Sequence, residues 1–200
     1  VWDGTWQLDE ADEAAKWGSK PGYVKLKDLD SDGHITTKDM KIIGQTDPKF
    51  LWGMNNSWTY KNFTLAVFIH GVHGVTKRNS LMDDDMYGGY RRNTIRKNYW
   101  SPDNPTNDWY ANDWLAGIMD GVTYTAPPEN ASFIRIKDIS LTYDIPKRIL
   151  DRIKMDNFQI YVTGRNLYTF TKWNGLDPEL DEQRAIPLQK EYVFGINVTL

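Results

Sequence analysis

Alternation of apolar and polar side chains is the clearest pattern in this chain, and it is most regular at residues 191–200. Successive side chains of an extended strand point to opposite faces. One face of this predicted strand carries Tyr192, Phe194, Ile196, Val198 and Leu200. The pattern fits the closing strand of an outer-membrane barrel, and it fits equally a half-buried strand of a soluble sandwich.

A longer alternating stretch predicts a hairpin in the middle of the chain. Apolar residues recur at every second position through residues 50–60, except at Asn56, and again through residues 63–70, and Lys61-Asn62 is the reversal between them. Each predicted strand has about ten residues, which is the length that crosses a bilayer core when the strand is tilted. Strands of soluble proteins are usually about half as long, so these lengths favour the membrane interpretation.

Two more long strands are predicted at residues 133–143 and 158–170. The first of them changes its apolar face midway, which predicts either a bulge or a stretch that lies above the membrane. Short helices are predicted at residues 9–16 and 147–154, and a brief strand at residues 23–27.

Composition narrows the classes of function. Aromatic residues make up 14% of the chain although its mean hydropathy is -0.62, and amphipathic rings gather at membrane interfaces and ligand-binding surfaces. A net charge of -3 without a run of Lys or Arg excludes a nucleic-acid partner. The absence of Cys excludes disulfides and thiolate metal sites. Because the chain starts at Val1 rather than Met, we expect a mature product or a fragment.

The sharpest local motif is a run of aspartates at residues 28–39. Asp28, Asp30, Asp32 and Asp39 occupy the first, third, fifth and twelfth loop positions, with Gly33 at the sixth. This spacing matches the calcium loop of the EF-hand, in which a hard cation takes six to eight oxygen ligands and the Gly permits a sharp turn. The residues therefore predict a structural calcium ion.

Two further oxygen ligands are expected from the same loop: the backbone carbonyl of His34, and the hydroxyl of Thr36 or a water bound to it. The last carboxylate is Asp39 rather than Glu, which resembles extracellular calcium modules and predicts weak affinity because Asp reaches less far. The alternative interpretation is an acidic turn that binds no metal.

Residues 74–131 are polar, irregular and much longer than an ordinary loop, which predicts a functional loop or a lid. Among its Asn, Asp and Pro residues are four candidate substrate-binding rings: Trp100, Trp109, Tyr110 and Trp114. Such rings suit stacking on sugars or holding a peptide. They suit equally the packing of the loop on itself. The sequence has no nucleophile elbow, P-loop or dinucleotide fingerprint, so we do not expect an enzyme.

Several blocks of the chain, in this order, resemble the carboxyl-terminal part of SusC/RagA-type TonB-dependent outer-membrane transporters of Bacteroidetes. The resemblance covers nearly the whole chain, and its blocks together are specific although each alone is weak. Besides the aspartate loop and the final strand, they are Gly4-Thr5-Trp6-Gln7, Lys20-Pro21-Gly22, Ile42-Ile43-Gly44, Pro48-Lys49-Phe50, Phe133-Ile134-Arg135-Ile136-Lys137-Asp138-Ile139, Tyr161-Val162-Thr163-Gly164-Arg165-Asn166-Leu167 and Gly175-Leu176-Asp177-Pro178-Glu179.

The resemblance implies an all-β fold, in which residues 1–200 are the last strands of a 22-stranded antiparallel transmembrane β-barrel with long extracellular loops. It also implies an amino-terminal plug outside this chain, TonB acting from the periplasm, and a SusD-like surface lipoprotein as a lid. The implied function is import of oligosaccharides, that is glycans, or of peptides across the bacterial outer membrane. The implied partners are this lipoprotein, TonB, the substrate and membrane lipid.

Orientation follows if the last strand ends at the periplasm, because bacterial barrels have short periplasmic turns and long outer loops. Residues 1–49, 74–131 and 172–188 are then extracellular, where calcium is plentiful. The competing hypothesis is a secreted, calcium-stabilised β-sandwich that binds glycans.

Overall fold

The computed structural model of the chain describes residues 1–83, 96–124, 128–181 and 185–199. Leu200, predicted on the apolar face of the last strand, and part of the predicted long loop lie outside the described residues. Strands are numbered along the chain as β1 (Trp2–Thr5), β2 (Val24–Leu26), β3 (Phe50–Tyr60), β4 (Phe63–His73), β5 (Thr76–Lys77), β6 (Ile118–Met119), β7 (Val122–Thr123), β8 (Glu129–Asn130), β9 (Phe133–Asp144), β10 (Asn157–Thr171) and β11 (Glu191–Thr199). The helices are α1 (Ala11–Lys16), α2 (Ser80–Asp83) and α3 (Lys147–Ile153).

The chain forms two compact units, and each of them is built from two separate segments. Val1–Gly44 and Arg78–Glu129 form one unit, called the loop unit below. Gln45–Lys77 and Asn130–Leu200 form the other, called the sheet unit.

A five-stranded antiparallel sheet is the framework of the sheet unit, with the strand order β11-β10-β9-β4-β3. The predicted hairpin is confirmed: β3 and β4 are joined at Lys61, whose positive φ of 54° makes the tight reversal. The chain is thus mostly β, as predicted. Its five long strands form an open sheet rather than a closed barrel, and the other described strands pair in twos. Within the described ranges, no helix is both long and apolar enough to span a membrane.

One face of this sheet is apolar and exposed. Strand register aligns the side chains in rows that run across all five strands. Two adjacent rows are Tyr60, Phe63, Tyr143, Ile160 and Ile196, and Trp58, Leu65, Leu141, Val162 and Phe194. Phe194 is 79% exposed, and its neighbours Tyr192, Ile196 and Val198 on β11 are exposed with it, which confirms the predicted alternation of that strand.

The opposite face is polar, and its side chains bond to one another. The hydroxyls of Ser140 and Thr163 lie 2.9 Å apart, and those of Thr59 and Thr64 lie 3.1 Å apart. Such cross-strand pairs stabilise a sheet face that is not covered by an apolar core. Each strand therefore presents one apolar and one polar side, as alternation along an extended chain requires.

A bulge explains the change of apolar face within β9. Phe68 of β4 pairs with Asp138, but the next residue, Ile69, pairs with Ile136, so Lys137 is the extra residue. As a result Ile136 points to the apolar face, whereas Arg135 points to the polar one. The predicted bulge is confirmed.

The loop unit has its own core, to which both of its segments contribute. Its buried side chains are Trp6, Ala14, Tyr23, Val24, Leu26, Ile35, Trp109, Tyr110, Ala116, Met119 and Tyr124. Backbone bonds join the segments, since the N–H of Val24 donates to the carbonyl of Ala116 and the N–H of Ala111 to that of Gly22, both at 2.7 Å. Two stretches that the sequence predicts as separate loops therefore fold together.

Candidate functional site

The aspartate loop brings three of its carboxylates together. Oxygen atoms of Asp28, Asp30 and Asp32 lie within 4.8 Å of one another. The Asp28 carboxylate also accepts bonds from the backbone N–H groups of Ser31 at 2.6 Å and Gly33 at 2.9 Å. Gly33 has a φ of +82°, so it makes the turn that the sixth loop position was predicted to require. These three carboxylates fit a hard cation, which prefers oxygen ligands.

Asp39 lies apart from this cluster and closes the loop. Its carboxylate accepts bonds from the backbone N–H groups of Leu29 at 2.6 Å and Thr36 at 2.7 Å, and the residue is 1% exposed. These bonds, the one from Thr36 first, lower the pKa of Asp39 because they stabilise its charged form. Both oxygens already serve the backbone, so in this structure Asp39 holds the loop ends together.

The ligand predicted from His34 is its backbone carbonyl and the one from Thr36 is its hydroxyl. His34 lies close to the cluster, since its N–H donates to the Asp32 carboxylate at 3.0 Å. Both residues also have partners outside the cluster. The His34 ring nitrogen Nδ1 lies 3.4 Å from the Asp120 carboxylate, and the Thr36 hydroxyl accepts a bond from the N–H of Lys38. The same Asp120 carboxylate accepts the N–H of Ile35 at 2.8 Å. The side chain of Ile35 is buried in the core of the loop unit. The loop is therefore tied to a folded core at its eighth position.

A positive charge already lies beside two of the clustered carboxylates. The Lys38 ammonium is 3.2 Å from Asp30 and 3.4 Å from Asp32, and these pairs raise the pKa of Lys38. Its side chain is largely exposed, so its ammonium group can also turn into solvent.

Three of the four candidate substrate-binding rings lie inside the loop unit. Trp109 and Tyr110 belong to its core, where their ring centroids stack at 4.8 Å. Trp100 is buried as well, and its Nε1 donates to the side-chain oxygen of Gln7 at 3.0 Å. Gly22 leaves room for that ring, because an added Cβ would come within 2.4 Å of it. Buried rings cannot stack on a substrate, so in this structure these three pack the loop on itself.

Trp114 is placed differently, since it is 68% exposed on a turn that is held firmly. The adjacent Asp113 accepts bonds from the Tyr23 hydroxyl at 2.7 Å and from the N–H of Leu115 at 3.1 Å. The bond from Tyr23 is the main reason that the pKa of Asp113 is lowered. Of the four predicted rings, Trp114 alone presents its face to solvent.

A buried ion-pair network lies on the polar side of the sheet. The Arg135 guanidinium donates to the carboxylates of Asp177 at 2.6 Å and Glu179 at 2.8 Å, and its Nε donates to the Thr169 hydroxyl at 2.9 Å. Arg135 is 1% exposed. The network fastens the segment after β10 to the start of β9, and the local patterns of the sequence did not predict it. Its signal in the sequence is an Arg between two Ile residues.

Two curated relatives come from Formosa agariphila. The chain is 32% identical over 161 residues to TonB-dependent receptor P3 and 29% identical over 185 residues to TonB-dependent receptor P26. These matches cover 80% and 88% of this chain but only 16% and 18% of the relatives, so the chain spans a small part of their length. A scan against family models found no match.

Solved structures have the same fold. The RagAB peptide transporter matches 90% of this chain with a TM-score of 0.68 and 23% identity, over 21% of its own chain. The RagAB peptide importer in its "closed-closed" state matches 88% with a TM-score of 0.67 and 23% identity, again over 21% of its chain. This chain corresponds to part of a TonB-dependent receptor.

The TonB-dependent receptors are outer-membrane proteins, so this chain belongs to a protein of the bacterial outer membrane. Its curated relatives are receptors rather than enzymes. Two of the sequence blocks that show the resemblance also contact each other. Arg135 of one block forms ion pairs with Asp177 and Glu179 of another.

Proposed function

We propose that residues 1–200 supply the last strands of a 22-stranded barrel, in a transporter that imports oligosaccharides or peptides and has no catalysis of its own. The observation that carries this proposal is the two-sided sheet. Its apolar rows are exposed over the whole width of five strands, and its other face is polar. A barrel wall in lipid needs this pattern, with apolar side chains outward and polar side chains toward the lumen.

The alternative, a secreted calcium-stabilised β-sandwich that binds glycans, is supported less well. A sandwich covers its apolar face with a second sheet about 10 Å away. Across the described parts of the chain, Phe194, Ile196 and Trp58 of the apolar face remain more than half exposed. Lipid is therefore the better occupant of that face.

Orientation is supported by the two ends of the sheet. The short connections lie at one end, where Asp144 exchanges bonds with Asn62 and the N–H of Asp156 donates to the carbonyl of Thr199. We assign this end to the periplasm. Residues 1–44 and 78–129 then leave from the extracellular end, and their folding into one unit agrees with both being on one side of the membrane.

Partners follow from the same proposal. We infer that a SusD-like surface lipoprotein closes the extracellular side and that TonB acts through a plug outside this chain. The likeness of fold to the RagAB peptide transporter supports a two-component importer. Purification of the full transporter from the outer membrane is expected to bring this lipoprotein with it at a fixed ratio, and its absence would argue against the partnership.

If the apolar face contacts lipid, substitutions at two adjacent positions of β9 should differ in their effect on barrel assembly. Leu141→Arg places a charge on the apolar face and is expected to cost about 2 to 4 kcal/mol of barrel stability, which lowers the amount of assembled transporter. Thr142→Arg, on the polar face, is expected to assemble normally. The measurement is the heat-resistant fraction of full transporter in outer membranes. Equal assembly of both variants would contradict the proposal that this sheet is part of the barrel wall.

We further propose that Asp28, Asp30 and Asp32 hold a structural calcium ion, with oxygens from His34, Thr36 or water completing its shell. The loop register and the approach of the three carboxylates support this. Asp39 supports the site by holding the loop ends. The ion would stiffen an outer loop of the transporter.

Calcium at about 10 mM is expected to stabilise the loop unit by about 1.4 to 2.7 kcal/mol, for a dissociation constant of about 0.1 to 1 mM. Calorimetric titration of the full transporter measures the binding heat, and hydrogen exchange of residues 28–39 measures the stabilisation. The double variant Asp30→Asn, Asp32→Asn should lose both effects, whereas Asp12→Asn, an exposed carboxylate on α1, should keep them. Identical heats from the double variant and the native transporter would remove the calcium assignment.

A further inference from the structure

The surface of the loop unit has a polar cleft beside the buried aromatic rings. It has a volume of about 620 Å³ and is lined by Arg96, Lys97, Asn98, Tyr99, Ser101 and Asn104. All of these residues lie in one short stretch of the loop unit, and none of them is among the four rings that the sequence singled out. We propose that this cleft binds an acidic oligosaccharide, one that bears carboxylate or sulfate groups. This deepens the proposed function and rests on it.

The cleft is held in shape by bonds among its own residues. The Asn104 side-chain amide donates to the side-chain oxygen of Asn98 at 3.0 Å and to the carbonyl of Tyr99 at 2.9 Å. Ser101 and Asn104 exchange backbone bonds across a turn, and the N–H of Trp100 donates to the carbonyl of Trp109 at 2.9 Å. A preformed site loses less conformational entropy when it binds a ligand.

Charge selects the ligand. Arg96 and Lys97 are both cationic, and none of the described residues that line the cleft is acidic. The Lys97 ammonium donates to the carbonyl of Met82 at 2.5 Å and lies 4.5 Å from the centroid of the Trp109 ring, so its position is fixed. The carboxylate of Asp108 is nearby and accepts a bond from the neutral side-chain amide of Asn98 at 2.6 Å, which does not cancel its charge. The two cations Arg96 and Lys97 outnumber this one carboxylate. A planar guanidinium such as Arg96 matches a carboxylate or sulfate through paired bonds.

The remaining groups favour a sugar over a peptide. The Tyr99 ring is half exposed and offers an apolar face to the C–H side of a pyranose. The Ser101 hydroxyl and the side-chain oxygen of Asn104 are groups that can bond to sugar hydroxyls. One common mode of peptide recognition adds the peptide backbone to a free strand edge. In this stretch the backbone groups of Trp100 and Trp109 bond to each other instead. Polar side chains around one ring therefore fit hydroxyl-rich ligands best.

The experiment is calorimetric titration of the full transporter in detergent. The probes are tetragalacturonate, a sulfated carrageenan tetrasaccharide, the methyl ester of tetragalacturonate as the matched neutral sugar, and tetraglutamate as an acidic peptide. At least one of the two anionic sugars is expected to bind at least tenfold more tightly than the methyl ester. Arg96→Ala and Tyr99→Ala should each weaken that binding roughly tenfold or more, and Arg96→Lys should restore part of it.

Lys16→Ala is the matched control, because it removes an exposed positive charge on α1 of the same unit, and Lys16 does not line the cleft. It should leave the binding unchanged. Equal binding of the neutral ester, tighter binding of tetraglutamate, or no change in Arg96→Ala would each overturn the inference. So would a failure of both anionic sugars to bind. These results are separable from a failure of the barrel proposal, because assembly of the Leu141→Arg and Thr142→Arg variants tests that proposal alone.

Discussion

Arg135→Ala is expected to lower the free energy of unfolding by about 3 to 5 kcal/mol. The guanidinium is 1% exposed and is the cation for two carboxylates, of which Asp177 is itself buried. Removing it leaves the Asp177 charge in the interior without that cation, and the cost of desolvating the charge is then no longer offset. The segment that carries Asp177 and Glu179 should also detach partly from β9, where Lys137 still lies 3.3 Å from Glu179.

Thermal unfolding of the full transporter in detergent measures the loss of stability, and hydrogen exchange of residues 172–181 measures the detachment. Arg165→Ala is the matched control. Its guanidinium is about half exposed and lies 3.5 Å from both Asp138 and Glu191, so the variant should cost less than about 1 kcal/mol.

A double-mutant cycle separates this pair from the rest of the network. If the Arg135–Asp177 contact contributes most of the stability of the network, Asp177→Asn should lower the free energy of unfolding much less in the Arg135→Ala background than in the native protein. Additive effects, or equal losses from the Arg135 and Arg165 variants, would show that the buried pair has no special part in holding the segment.

The strands of the sheet unit were predictable because their signal is local. A strand in a two-sided sheet alternates along its own length, so β3 and β11 can be recognised from their own residues. The bulge in β9 was predictable for the same reason, since an extra residue shifts the alternation within one strand. Strand ends were less well predicted: β4 continues to His73, three residues beyond the predicted end, because backbone pairing with Phe50 extends past the alternating residues.

The fold of the loop unit was not predictable from such local signals. Its two segments are joined by backbone bonds such as that from Val24 to Ala116, and by the Tyr23 hydroxyl on Asp113. Partners that are about 90 residues apart leave no periodic trace in either segment. The pairing of Arg135 with Asp177 was hidden in the same way, since each residue looks like an ordinary polar position in its own segment.

The two candidate sites differ in the same way, since one depends on residues close in sequence and the other on the tertiary fold. The aspartate loop was found because its candidate ligands lie close together in sequence, and the structure brings Asp28, Asp30 and Asp32 together as that spacing predicts. Asp39 has the right spacing too, but the structure uses it for backbone bonds. The sequence positions of the aromatic residues did not indicate their role, because the same rings suit both a binding surface and a core. Only the tertiary fold separates Trp109 from Trp114.

Trp109→Ala is expected to destabilise the loop unit by about 3 to 5 kcal/mol. The ring is 5% exposed, stacks on Tyr110, and contacts Tyr124 at a centroid distance of 6.4 Å. The Lys97 ammonium also lies over it at 4.5 Å. Truncation removes these contacts and leaves a cavity between the two segments, so hydrogen exchange should rise in residues 1–44 as well as around position 109.

Trp114→Ala is the matched control, because it removes the same side chain from an exposed turn of the same unit. Its effect on stability should be within about 0.5 kcal/mol. The two variants also separate the two roles that the sequence left open for these rings. If Trp109→Ala lowered substrate uptake while hydrogen exchange in residues 1–44 stayed native, the ring would have to reach the substrate despite its burial. If Trp114→Ala lowered uptake without loss of transporter, its exposed ring would be the one that meets the substrate.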